Sequence, residues 1–348
     1  GLITGGSDEG EITAVSPTPN IASNPTIPAQ VGDSGPAAPT PKPTWTPPVE
    51  VQITPNEEFY TLKYNPSPPP DVDLETYRLV IEGEVDTPLS LSIEEIRNFP
   101  SYTQMRTLQC ISNPVGGNLI GNAIWTGVAM RELLEAAGIR PSGKYLRLEC
   151  LDGYHTGIPV SLAMDENSLL VYEMNGEILP ADHGFPLRAL WPGRYGQKQP
   201  KWLTRIVVQR QPHVGHWEGQ GWSDEARIQP TSIIWQPPEQ EKQPPDYYVA
   251  GIAFSTDVGL EKVEVSLDNG NTWQEAELLR GPSPLTWTHW WLKVEGAEPG
   301  VYRVLARATD NNGKSQRRAK RGLGLLDDTF PNGTDAMHEI AVQVSGNS

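Results

Sequence analysis

Two cysteines and one dense run of cations are the residues of this 348-residue chain whose types and spacing could do chemistry. Cys110 closes the segment Arg106-Thr107-Leu108-Gln109-Cys110 and precedes the loop Ser112-Asn113-Pro114-Val115-Gly116-Gly117-Asn118. A thiol at a strand end facing a glycine-rich loop is presented in a cleft, and a nearby Arg106 would favour its thiolate. Cys150 instead shares a strand face with Leu146 and Leu148 and reads as a core cysteine. The cation run is Asp182-His183-Gly184-Phe185-Pro186-Leu187-Arg188, then Pro192-Gly193-Arg194-Tyr195-Gly196-Gln197-Lys198-Gln199-Pro200-Lys201-Trp202. Arg offers a fork, Lys a point charge and Gly close backbone approach, which suits a phosphate or anionic cofactor as well as it suits an ordinary solvated basic loop. Glycine-rich dinucleotide and phosphate loops, GxSxG, HExxH and the CxxCH haem-attachment motif are all missing. Two cysteines are too few for a disulfide scaffold or for a multi-cysteine zinc or iron-sulfur site.

The elements that must position these residues are mixed. Tyr77, Leu79 and Ile81 alternate with polar neighbours as a half-buried strand. Ser92 and Glu95 form a capping box that opens a short helix. Thr126 is placed to cap a second helix, with Met130, Leu133, Leu134 and Ala137 on its apolar face and Gly138 as its stop. Lys144 to Cys150 and Trp202 to Val208 read as strands. Beyond the Pro-rich junction at 236–245 the helical period disappears. Val263, Val265 and Leu267 run into Asp268-Asn269-Gly270, a hairpin signal, and Tyr302, Val304, Ala306 and Ala308 alternate again, so this part reads as a β-sandwich.

Composition bounds the remainder. A net charge of -16 repels nucleic acid and anionic headgroups, and no run of about 18 apolar residues is present to span a membrane. Residues 1–48 hold ten prolines, five charged residues and one aromatic, Trp45, and so read as a disordered Pro/Thr/Ser-rich linker or stalk. A stalk of this kind can hold an enzyme off a membrane surface, and an ordinary flexible tail looks the same.

Taken in order, several segments resemble the sulfite oxidase family of molybdenum enzymes. They are Thr107-Leu108-Gln109-Cys110-Ile111-Ser112-Asn113, Gly121-Asn122-Ala123-Ile124-Trp125-Thr126-Gly127-Val128, Tyr172-Glu173-Met174-Asn175-Gly176, Leu179-Pro180, His183-Gly184-Phe185-Pro186-Leu187-Arg188 and Lys201-Trp202-Leu203. The resemblance implies an α+β molybdopterin-binding catalytic domain over 50–235, followed over 246–344 by an immunoglobulin-like β-sandwich that dimerises. It also implies a molybdenum-molybdopterin cofactor held by the Cys110 thiolate, with two further sulfurs from the pterin. His183, Arg188 and Lys201 match positions that grip the pterin and its phosphate; Asp152, Tyr60 and Lys63 match further cofactor contacts. Lys198 falls where the family carries a cation near the substrate.

The expected function is oxygen-atom transfer, sulfite being oxidised to sulfate and the electrons leaving to an external acceptor such as a c-type cytochrome. The alternatives are a reductase of the same fold acting on an S-oxide such as protein methionine sulfoxide, and a cofactor-less binding module. Arg106, Lys63, Arg194 and Lys198 are the candidates for a positive funnel that admits a dianion to so acidic a chain. Two departures from the family stand out. Leu62-Lys63-Tyr64 replaces an Arg-Asn-His run, and Gly219 faces the family's active-site tyrosine. Homodimerisation, with Trp287, Trp290 and Trp291 as contact features, an extracytoplasmic location and a membrane tether upstream complete the expectations.

Overall fold

The computed structural model describes residues 45–319 and 328–346. The stalk expected over 1–48 therefore lies almost wholly outside the described residues. Two units follow it, each built on two sheets.

In the first unit, five strands run in the order β2 (Leu89–Leu91), β1 (Leu79–Gly83), β10 (Leu203–Gln209), β5 (Tyr145–Cys150) and β6 (His155–Pro159). A second sheet orders β3 (Ser101–Gln109), β4 (Ile120–Ala129), β7 (Leu169–Met174) and β8 (Glu177–Ile178), with β9 (Arg188–Leu190) paired to β7. Their inward positions, Leu79, Ile81, Leu146, Leu148, Ile206 and Val208 among them, share one core with the apolar face of the helix Met130–Ala137. The Ser92 capping box is present, Ser92 Oγ accepting from Glu95 N and the Glu95 carboxylate from Ser92 N. Gly138 ends the longer helix in the left-handed region at φ 69°. The expected Thr126 cap is not there. Thr126 sits inside β4, its Oγ1 2.8 Å from Thr103 Oγ1 across the sheet, and Ala129 precedes the helix without a side-chain cap. A local capping signal lost to a nine-residue strand pairing.

The second unit is a sandwich of two sheets. One orders β11 (Thr231–Gln236), β13 (Tyr247–Phe254), β17 (Thr288–Val294) and β16 (Glu277–Leu279); the other orders β12 (Lys242–Gln243), β19 (His338–Val344), β18 (Gly300–Asp310), β14 (Leu260–Ser266) and β15 (Gln274–Glu275). Strand β11 lies within the span assigned above to the catalytic unit, yet it pairs with β13 of the sandwich. Trp290 is fully buried between the sheets, whereas Trp287 lies in a separate cluster with Ile111, Ile120 and Tyr195 of the first unit. The Trp287 end of this sheet's outer face is thus covered within the same chain, which takes Trp287 and Trp290 out of the expected intersubunit contact. The seam is also bonded. Thr107 N donates to Leu285 O (2.9 Å), Thr286 Oγ1 to Met105 O (3.1 Å) and Trp287 N to Thr107 Oγ1 (2.8 Å).

Candidate functional site

Cys110 follows the last residue of β3, and its N–H donates to Leu119 O (2.9 Å), which closes the loop behind it. Asn113 stitches that loop by accepting Leu119 N on Oδ1 (2.9 Å). A Cβ on Gly116 would meet His338 Nε2 at 2.3 Å, so the close approach is to the sandwich and not to a ligand. The thiol is partly buried, 3.1 Å from Ser112 Oγ, and burial pushes its pKa up while the Ser112 contact pulls it down. Arg106 plays no part in this balance. It sits four residues back on β3, roughly 13 Å away along an extended strand, with Nη2 bonded to Gln104 Oε1 (2.7 Å) and to Asn167 O. Cys150 is buried in the core as expected.

Around Cys110 the chain assembles Tyr60, Tyr154, Tyr195 and the short turn Gly196–Lys198. Tyr60 is half-buried next to both Cys110 and Arg188, which respectively raise and lower its pKa on top of a dominant upward push from burial. A Cβ on Gly196 would lie 3.3 Å from the Tyr60 hydroxyl and 3.5 Å from Gln109 O, so the missing side chain leaves a cradle against the thiol strand. Tyr154 donates to Gln197 O (2.6 Å) and feels the charges of both Cys110 and Glu218. The sequence reading missed it, although it directly follows Asp152-Gly153.

The grip positions converge from another side. His183 donates Nε2–H to Asn56 O (2.8 Å), and Asn56 Oδ1 accepts in turn from Asn175 Nδ2 (2.8 Å). Burial lowers the His183 pKa to about 4, so the ring is neutral at physiological pH with Nδ1 left as an acceptor. Arg188 is only 6% exposed; it donates to His183 O (3.1 Å) and Gln199 O (3.3 Å), while Nε has no partner. No carboxylate among the described residues pairs with it. Lys201 donates to Asp182 O (2.8 Å), and burial with Arg188 and Lys63 nearby lowers its pKa to about 7. Lys63 and Asp152 line one open cleft together with Trp202, and Lys63 is paired to Asp182 at 2.7 Å.

Three of the expected substrate cations stand elsewhere or are already neutralised. Lys198 is buried, 2.6 Å from Glu218 Oε1 and 2.8 Å from Asp224 Oδ1, and donates to Gly157 O (2.9 Å), so it offers no free charge. Glu218 and Asp224 come from a loop some twenty residues downstream, which no local spacing could reveal. Arg194 and Arg106 line a different cavity whose walls exclude Cys110.

The donor set fits a metal that brings its own ligands. Among the described residues no group of three or more His, Cys, Asp and Glu side chains is placed to hold a metal ion. A soft thiolate, an unmatched buried guanidinium and a cation crowded by other cations fit a thiolate-bound metal with an anionic, phosphate-bearing organic cofactor.

Comparison with known proteins agrees with this chemistry. An oxidoreductase molybdopterin binding domain matches residues 66–217, and a Mo-co oxidoreductase dimerisation domain matches 224–323. Sulfite oxidase of Gallus gallus is 33% identical over 310 residues, covering 75% of this chain and 67% of its own length. Mitochondrial sulfite oxidase of Rattus norvegicus is 32% identical over 344 residues, covering 85% of this chain; the matched region spans only 62% of that relative. An uncharacterised oxidoreductase of Bacillus subtilis is 35% identical over 150 residues, covering 43% of this chain and 74% of its own length. In fold, the crystal structure of the sulfane dehydrogenase SoxCD from Paracoccus pantotrophus superposes with a TM-score of 0.73 at 24% identity, covering 85% of each chain.

Proposed function

This chain belongs to the sulfite oxidase family of molybdopterin oxidoreductases, and from that premise we propose that it oxidises sulfite to sulfate by oxygen-atom transfer and passes the electrons to an external acceptor such as a c-type cytochrome. The observation that carries this reading is the convergence of the Cys110 thiol, the Gly196 cradle and the unmatched Arg188 around Tyr60. When bound, the molybdenum cofactor supplies the transferred oxygen and accepts two electrons.

The chain's own residues do the holding. Cys110 loses its proton on meeting the metal, since the free thiol is protonated and only the thiolate binds well. Arg188 and Lys201 meet the negative charge of the pterin phosphate, and the match restores to Lys201 the proton that its crowded site tends to shed. Neutral His183, its ring fixed by the bond to Asn56, would hold the pterin with Nδ1 as an acceptor. Tyr60 stays protonated and orients its hydroxyl at the turn beside the thiol. Molybdenum analysis combined with sulfite-dependent reduction of cytochrome c tests the proposal; full molybdenum with no sulfite turnover would remove sulfite as substrate.

One observation favours a second reading. Lys198 is neutralised by Glu218 and Asp224, and Lys63 by Asp182, so the site offers less positive charge than a dianion would use. A neutral S-oxide, reduced by the same centre in the opposite direction, needs no such charge. Reduction of methionine sulfoxide by reduced viologen separates the two. The dimerisation-domain match supports a homodimer, and the Pro/Thr/Ser-rich composition of residues 1–48 supports an enzyme held outside the cytoplasm near a membrane, a proposal that cell fractionation tests.

A further inference from the structure

A small, partly open cavity lies at the seam between the two units, lined by Arg106, Trp191, Arg194 and Gln199 of the first and by Phe254 and Leu285 of the second. It leaves room for one particle of water size. Its unpartnered polar atoms are mostly donors. Arg106 Nε and Nη1 and Trp191 Nε1 are buried without a bonding partner, on side chains only 2% and 1% exposed; Gln199 Oε1, an acceptor, shares that condition. Neither guanidinium is paired with a carboxylate among the described residues. Asp165 is exposed and bonded to Asn167 N, Asp257 is paired to Arg227, and Glu225 faces solvent, so the nearby acids act on Arg106 and Arg194 only at a distance.

We propose that this cavity is a binding site for a monoatomic anion, chloride or a heavier halide, held by the N–H groups of Arg106 and Trp191 with Arg194 adding charge. Size selects the ion, because a halide is only slightly larger than water whereas sulfate or phosphate exceeds the space. Charge decides between halide and water. A water molecule would satisfy Trp191 and Gln199 but would leave a buried guanidinium unmatched, and an uncompensated interior charge is among the most unfavourable arrangements in a folded chain. The position gives the ion a structural role. Arg106 is flanked on β3 by Met105 and Thr107, the residues that bond Thr286, Leu285 and Trp287 across the seam, so a bound halide fastens the strand leading to Cys110 onto the sandwich. This site does not depend on the molybdenum reading.

The test uses the full chain in sodium chloride, sodium bromide and sodium gluconate at equal ionic strength. Chloride and bromide should raise Tm saturably by several degrees over gluconate, and Arg106→Met should abolish that difference while Arg194→Met weakens it. Crystals grown in bromide should show an anomalous peak between Arg106 and Trp191, a readout that stands even if the Arg106 variant does not fold. Equal Tm in all three salts, or a water with no anomalous signal at that position, overturns the proposal.

Discussion

The two cysteines make opposite demands on their surroundings. Cys110 is partly buried next to Tyr60, Tyr195 and the Gly196 turn, while Cys150 lies in a core shared with Leu146, Leu148 and Leu203. Cys110→Ser should therefore give a folded protein that retains little molybdenum and no turnover, because a hydroxyl is a poor ligand for a soft metal. Cys150→Ser should destabilise by about 1–3 kcal/mol in denaturant unfolding, through burial of a poorly bonded hydroxyl, with unchanged molybdenum per folded molecule. Lys201 gives a pH signature. Its folded pKa is lowered from 10.5 to about 7, so the unfolded chain binds more protons between those values. The cofactor-free protein consequently loses stability from this group as pH falls through that window, and below about 7 the loss is complete. Lys201→Met should raise the Tm of the cofactor-free protein at pH 7 and lower cofactor occupancy; a fall in both would place Lys201 in an ordinary structural role.

At the scale of elements, the turn Gly196–Lys198 does the most. Its first residue leaves space beside Cys110, its second lends a carbonyl to Tyr154, and its third anchors the loop carrying Glu218 and Asp224. Gly196→Ala places a methyl 3.3 Å from the Tyr60 hydroxyl at a position whose backbone tolerates it. The variant should fold normally and lose molybdenum occupancy, and Gly196→Val should lose more; undiminished occupancy in both would show that the cradle does not face the cofactor. Elements were legible where their determinants were local. Ser92 with Glu95, and Met130 with Leu133 and Gly138, announce helices within one or two turns. Determinants distant in the chain were not legible. Thr126 has the chemistry of a cap but pairs with Thr103 across a sheet, and Lys198 reads as a free cation until Glu218 arrives from a remote loop. Tyr154 carries no motif of its own, and only folding brings it beside Cys110 and Glu218.

Across the whole molecule, the sandwich serves the catalytic unit directly. Trp287 caps the cluster of Ile111 and Tyr195 next to the thiol loop, and His338 packs against Gly116 within that loop. Two-unit order was readable from the change in hydrophobic period, whereas the seam was not, since alternation shows that a face is covered without showing by what. Trp291, half-buried on β17, is the member of the tryptophan group still available to a second subunit. Sedimentation at micromolar concentration should find a homodimer; a cofactor-replete monomer would leave the sandwich as a packing partner alone.

The central claim is that Cys110 is the protein ligand of a molybdenum cofactor. X-ray absorption at the molybdenum edge, on protein produced in a host that makes the cofactor, measures it most directly. The account predicts one molybdenum per chain with three sulfur neighbours in the parent protein, and two in whatever molybdenum Cys110→Ser retains. A sulfur count unchanged by the substitution, or a folded parent protein that carries no molybdenum, would contradict it.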